Sequence, residues 1–224
     1  MNLAPGRTAQ DLSDRNKAAA LMAGDERTMR GLMMTQAHLR QLGMVTAADL
    51  FLENSDRVMG PNFGNWFVAA AGAVTLIDNL DQTAKGMWRD GTGLGLDFYL
   101  QMLARGALQQ TAGDAADKLA LGMKIWGDDT VDAWMLQPYG NGTRKQFMAE
   151  QLLAGLTQGR ERIIALYAKK PGLFGSKDAK RARKLAKRGA KEMQAHDTAA
   201  GDWKRSHSKY WERLKARARW LKAN

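Results

Sequence analysis

The sequence predicts an all-α protein, and three observations predict it. Ala, Leu, Met, Gln, Lys and Arg recur at three- and four-residue spacing from end to end. Val, Ile, Thr and the aromatic residues nowhere alternate with polar ones over the length of a strand. Glycine, proline and capping residues then cut the chain into helix-sized pieces. With 224 residues, 45 % hydrophobic and 25 % charged, the chain can bury a real core and is too apolar for a disordered one. Cysteine is absent, which excludes disulfides, thiolate metal sites and a cysteine nucleophile, so folding rests on packing.

The elements follow in order. Residues 1–20 carry Arg7, Asp11, Asp14, Arg15 and Lys17 among their apolar residues, lack the apolar core of a secretory signal, and read as a first helix. Asp25 precedes a helix to about Gly43, with Met29, Leu32, Met33, Gln36, Leu39 and Leu42 on one side. Thr46 and Asp49 resemble a capping box that opens a helix to about Met59, where Gly60-Pro61-Asn62 turns the chain. The apolar run 66–77 is broken by Gly72 and Thr75 and is shorter than the roughly 20 residues of a membrane span. It reads as a buried core helix beginning at Asn65, the second arm of a helical hairpin.

Residues 90–95 form a loop, and 96–110 the next helix, packed by Phe98, Leu100, Met102, Leu103 and Leu108; Gly113 and Asp114 restart the chain. Gly127-Asp128-Asp129 separates two short helices, the second begun by Asp128, Asp129 and Asp132 at the positive end of its dipole. Residues 138–142 make a turn, and Thr143 with Gln146 forms a second capping box. The helix it opens runs to about Tyr167, with Gly155 or Gly159 as candidate bends. Residues 170–176, Lys-Pro-Gly-Leu-Phe-Gly-Ser, form a candidate hinge. The expected division is a helical body, 1–168, and a basic helical arm, 169–224.

Charge is divided in the same way. Residues 160–224 hold 20 Lys and Arg against 6 Asp and Glu, a net of +14; residues 1–159 hold 14 against 17, a net of −3. Such asymmetry points to an interaction tail for an anionic surface. Between Ser176 and Ala195, Ala179, Ala182, Ala186, Gly189 and Met193 fall on one narrow helical stripe, while Lys177, Lys180, Arg181, Lys184, Lys187, Arg188 and Lys191 occupy the opposite arc. That helix has little to bury and much to offer a phosphate backbone. The final helix differs, because Trp203, Tyr210, Leu214 and Leu221 fall near a common line and form a docking stripe for the body or a partner. Trp211 and Trp220 lie off that stripe among cations that include Arg213, Arg217 and Arg219. They either cover neighbouring core or grip nucleic acid together with those cations.

Catalytic signatures are absent: no phosphate loop, no His-Glu-x-x-His, no Gly-x-Ser-x-Gly elbow and no EF-hand. Gly93-x-Gly95-x-Asp97 matches part of a calcium-binding nonapeptide, but a single copy cannot build that site. Carboxylates share helical faces in Asp49, Glu53 and Asp56, in Asp78 and Asp81, and in Asp114 and Asp117; each group reads first as a solvated face. His38, His196 and His207 are too scattered for a metal site, and the 13 methionines read as core filling.

The expected function is non-enzymatic: a structural or assembly protein that meets nucleic acid through its arm, without reading bases. The nucleic-acid residues are Lys177, Lys180, Arg181, Lys184, Lys187, Arg188, Lys191, Arg213, Arg217 and Arg219, and the docking residues Trp203, Tyr210, Leu214 and Leu221. No cofactor or metal is expected, other protein subunits are expected partners, and the location is cytoplasmic or virion-associated without signal peptide or transmembrane helix. The alternatives are a helical, hydrolase-like enzyme using convergent carboxylates and a protein-interaction or membrane-surface module of a larger complex. In composition, rich in Ala, Gly, Met and Trp with a cationic end, the chain is similar to small virion or DNA-packaging proteins of bacteriophages, internal ejection proteins included.

Overall fold

The computed structural model describes residues 7–8, 29–52, 57–63, 66–68, 74–76, 94–168 and 216–224. Helices dominate these residues: α1 (Met29–Met33), α2 (Gln36–Leu52), α3 (Leu94–Gln101), a 3₁₀ turn (Arg105–Ala107), α4 (Leu108–Ile125), α5 (Val131–Met135), α6 (Arg144–Ala168) and α7 (216–223). The fold is all-α. Two small antiparallel sheets decorate it, β1-β2-β3 (Arg7–Thr8, Trp66–Val68, Val74–Leu76) and the hairpin β4-β5 (Pro138–Tyr139, Gly142–Thr143). Among the described residues no helix is long and apolar enough to cross a membrane.

The helix expected from Asp25 to about Gly43 is divided between α1 and α2, because Thr35 bends its hydroxyl back to the Gly31 carbonyl (3.1 Å) and competes with the backbone ladder. Its apolar side is nevertheless the buried one: Met29, Leu32, Met33, Leu39 and Leu42 all lie in the core. Helix α2 runs straight through Gly43, which the sequence reading took as a stop. Gly43 serves space rather than conformation. A Cβ there would lie 2.9 Å from the Gly155 Cα and 2.8 Å from the Leu156 nitrogen, so α2 and α6 meet backbone to backbone. Gly155 and Gly159, read as candidate bends, line the same contact one turn apart, and α6 is continuous through both.

Around that crossing α2 contributes Leu39, Leu42, Ala47 and Leu50, and α6 contributes Met148, Leu152, Leu156 and Ile163. Helix α4 closes the third side with Ala112, Ala115, Ala116, Leu119 and Met123, all buried. Its small residues again allow close packing. It continues through Gly113, where the sequence suggested a restart, because a glycine in a helix costs only about 1 kcal/mol against alanine and the packed face outweighs that. The expected helix over 96–110 is divided: α3 stops at Gln101, and of its proposed packing residues Leu100, Leu103 and Leu108 are buried while Phe98 is 62 % exposed.

Two local readings are corrected by distant partners. Thr46 sits inside α2, its hydroxyl donating to the Leu42 carbonyl (2.8 Å), and Asp49 is committed to Arg57 rather than to a helix start. The apolar run at 66–77, expected as a helix, contains strands β2 and β3, paired Trp66 to Leu76, Phe67 to Thr75 and Val68 to Val74. Aromatic and β-branched residues at both ends suit strands. The strand from Arg7 to Thr8, which lies in the stretch expected as a first helix, adds to the edge of β2. By contrast the second capping box forms as read: Gln146 Oε1 accepts from the Thr143 N–H (2.7 Å) and Thr143 Oγ1 accepts from the Gln146 N–H (3.3 Å). The turn before it uses Gly140 at φ 57°, and Gly127, at φ 101°, ends the α4 segment.

Candidate nucleic-acid interface

The expected nucleic-acid residues Lys177, Lys180, Arg181, Lys184, Lys187, Arg188, Lys191 and Arg213 lie outside the described residues, as do Trp203, Tyr210, Leu214, Trp211 and the hinge at 170–176. The described part of the basic segment is α7 with Asn224. Its sequence, Ala-Arg-Ala-Arg-Trp-Leu-Lys-Ala, alternates inward and outward at helical spacing. Arg217, Ala218 and Leu221 are buried, while Arg219 and Lys222 are exposed. Leu221 therefore docks on the body, 0 % exposed within the same core cluster as Leu50, Leu103 and Leu156. Helix α7, at the end of the basic segment, thus shares the core of the body.

Arg217, expected among the nucleic-acid residues, is buried. It is 3 % exposed, donates through Nη2 to the Leu50 carbonyl (3.1 Å) and stacks over the Phe51 ring at 5.7 Å. Leu50 lies in the last turn of α2, where carbonyls lack intrahelical partners and the dipole is negative, so a guanidinium there caps the helix. Trp220, off the stripe, is partly buried against the core, which matches the reading of that residue as cover.

Arg160, which sequence reasoning did not single out, plays the same part from the other side. It is 1 % exposed, and its Nε donates to the Leu103 carbonyl (2.9 Å) just beyond α3. One of its terminal nitrogens, Nη2, donates to the Leu221 carbonyl in the last turn of α7, and Nη1 pairs with the exposed Glu161 (2.9 Å). Burial holds this guanidinium below its ordinary range; Glu161 opposes that effect, and the like charge of Arg105 reinforces it. It stays charged, since arginine does not give up its proton in proteins. The signal was present in the sequence: Leu152, Leu156 and Arg160 stand four residues apart, with Ile163 three further on, so Arg160 occupies an apolar stripe.

A second fixed pair lies under α2. Asp49 and Arg57 form a bidentate bridge (Nε to Oδ2 2.9 Å, with Nη2 on Oδ1), their side chains 3 % and 5 % exposed. Burial raises the Asp49 carboxyl above its usual range, more than the hydrogen bond and charge of Arg57 lower it. Elsewhere Arg30 grips Asp128 (Nε to Oδ2 2.7 Å) and Thr130 (2.7 Å), and the guanidiniums of Arg30 and Arg144 lie 5.3 and 5.1 Å from the Trp134 ring.

The carboxylates expected on shared faces are engaged separately. Asp114 accepts from Gln110 (2.8 Å) and Asp117 pairs with Lys145 (2.6 Å), Asp132, expected at a helix start, pairs with Lys124, and Glu53, Asp56, Asp78 and Asp81 lie outside the described residues. Gly95 and Asp97 fall within α3. His38 is buried, and His196 and His207 lie outside. Among the described residues no group of three His, Cys, Asp or Glu could hold a metal ion.

Fold and site together define a class: an all-α bundle whose basic C-terminal segment ends in a helix capped into the core by arginines. Comparison with protein-family models, with curated proteins and with solved structures gave no match to this chain.

Proposed function

We propose that the protein is a non-enzymatic structural or assembly component that binds nucleic acid through the phosphates, by means of its basic C-terminal segment. The observation that carries this reading is the charge division, 20 cations against 6 anions over 160–224 beside a body that is slightly acidic. Docking of α7 through Arg160, Arg217 and Leu221 supports it, since it fixes this part of the basic segment to the body. The likeness in composition to phage virion and DNA-packaging proteins fits the same reading and adds no residue to it.

The test is a salt titration of binding to duplex DNA, single strands, RNA and anionic vesicles in parallel. With roughly 6 phosphate contacts, log affinity for duplex should fall against log salt with a slope of about −5, whatever the sequence. A flat response, or no binding at low salt, overturns the proposal, and tighter binding to vesicles than to any nucleic acid replaces it with membrane-surface binding.

A further inference from the structure

Helix α7 meets the body where like charges gather. The backbone N–H of Arg105 donates to the Asn224 carbonyl (3.1 Å), which sets the start of the 3₁₀ turn against the end of α7. The Arg105 side chain is exposed. So are those of Arg219 and Lys222, which stand three residues apart and share the outer face of α7, because its inner face is taken by Arg217, Ala218 and Leu221. From Arg219 to Asn224 is about 7.5 Å along a helix axis, a span that covers about two phosphates of one DNA strand. Beneath them lies the buried Arg160, whose guanidinium feels the charge of Arg105. Like charges on the two parts repel one another, as Arg105 and Arg160 do, and an anion bound between the two parts offsets that repulsion.

We propose that Arg105, Arg219 and Lys222 form a composite phosphate site, made jointly by the body and the C-terminal helix and filled by the nucleic-acid backbone, so that binding locks α7 onto the bundle. The proposal rests on the nucleic-acid reading above and adds to it a body residue, Arg105, and a consequence. Phosphate bridging the two parts binds the docked helix better than the undocked one, and linkage then requires nucleic acid to stabilise the docked fold.

The experiment uses the full chain with a short duplex of random sequence at low salt, and reads both the salt slope and the rise in melting midpoint on adding duplex. Arg105→Ala should melt at or slightly above wild type without DNA, because its side chain is in water and its charge acts on Arg160 only unfavourably. It should also lose about 0.9 from the magnitude of the salt slope and show a smaller duplex-induced rise. Arg219→Ala with Lys222→Ala should lose about 1.8 and most of the rise. Arg105→Lys should restore the slope, since a point charge suffices for a phosphate. Arg40→Ala, an exposed cation ten residues before Leu50 and so about 15 Å away along α2, should behave as wild type. If Arg105→Ala keeps both the wild-type slope and the wild-type rise, the composite site is overturned while nucleic-acid binding stands. If wild type binds no duplex at low salt, both fall together.

Discussion

Adding one methyl group at Gly155 should unfold this protein more readily, whereas adding the same group at Gly113 should strengthen it. A Cβ on Gly155 would overlap the Arg40 carbonyl oxygen and lie 2.9 Å from both the Arg40 carbonyl carbon and the Gly43 Cα. Ordinary carbon contacts begin near 3.5 Å, so α2 and α6 must part by about 0.6 Å or more. Both obstacles are backbone, and neither can swing aside. Overpacking of this kind costs about 1–3 kcal/mol, and a gap of 0.5–1 Å forfeits about a quarter to a half of each dispersion contact along the seam. That seam holds Leu39, Leu42 and Leu50 against Leu152 and Leu156. The gain in helix propensity returns only about 1 kcal/mol. The net is a loss of up to about 2 kcal/mol, or up to about 8 °C in melting midpoint for a chain of this size. Gly113 has nothing within 4 Å of its would-be Cβ and lies within α4, so Gly113→Ala should gain about 0.5–1 kcal/mol. Thermal melts followed by circular dichroism or calorimetry read both. A Gly155→Ala protein melting at or above wild type would refute the close crossing.

Asp49→Asn gives a pH signature. Because burial raises the Asp49 carboxyl in the folded chain above the ordinary carboxylate range, its favourable contribution is complete below that range and is lost as pH rises through the folded value. The stability of wild type relative to Asp49→Asn should therefore decline from about pH 4 upward, and a difference that grows with pH would contradict the balance of burial over pairing. Replacing both Asp49 and Arg57 by apolar residues should be closer to neutral than removing either alone, which strands a buried charge at about 3–5 kcal/mol. Leu221→Ala should cost about 2–5 kcal/mol, and a chain ending at residue 215 more, since it also strips the partner of Arg160 at Leu221 and the Arg217 cap from Leu50. Unchanged melting of either would remove α7 from the core.

Much of this molecule is written in short-range pattern. Met29, Leu32, Leu39 and Leu42 announce their buried side by spacing, Thr143 and Gln146 announce a helix start, and Leu221 announces a buried position, because each depends on residues within a turn or two of itself. The same is true of the all-α class and of the charge division. Tertiary structure alone decided the rest. Thr46 and Asp49 have the spacing of a cap, yet Arg57 claims the carboxylate and the packed helix runs through. The run at 66–77 is as apolar as a helix core and becomes strands, in a sheet that also takes in residues 7–8, nearly sixty positions away. Gly43 and Gly155 are spacers only because two helices far apart in sequence cross there. Arg217 and Arg160 look like ordinary cations until the carbonyl ends of α2, α7 and the turn after α3 are brought to them. Spacing fixes what a residue can face; what it does face is set by long-range partners, whose hydrogen bonds and excluded volume no local window contains.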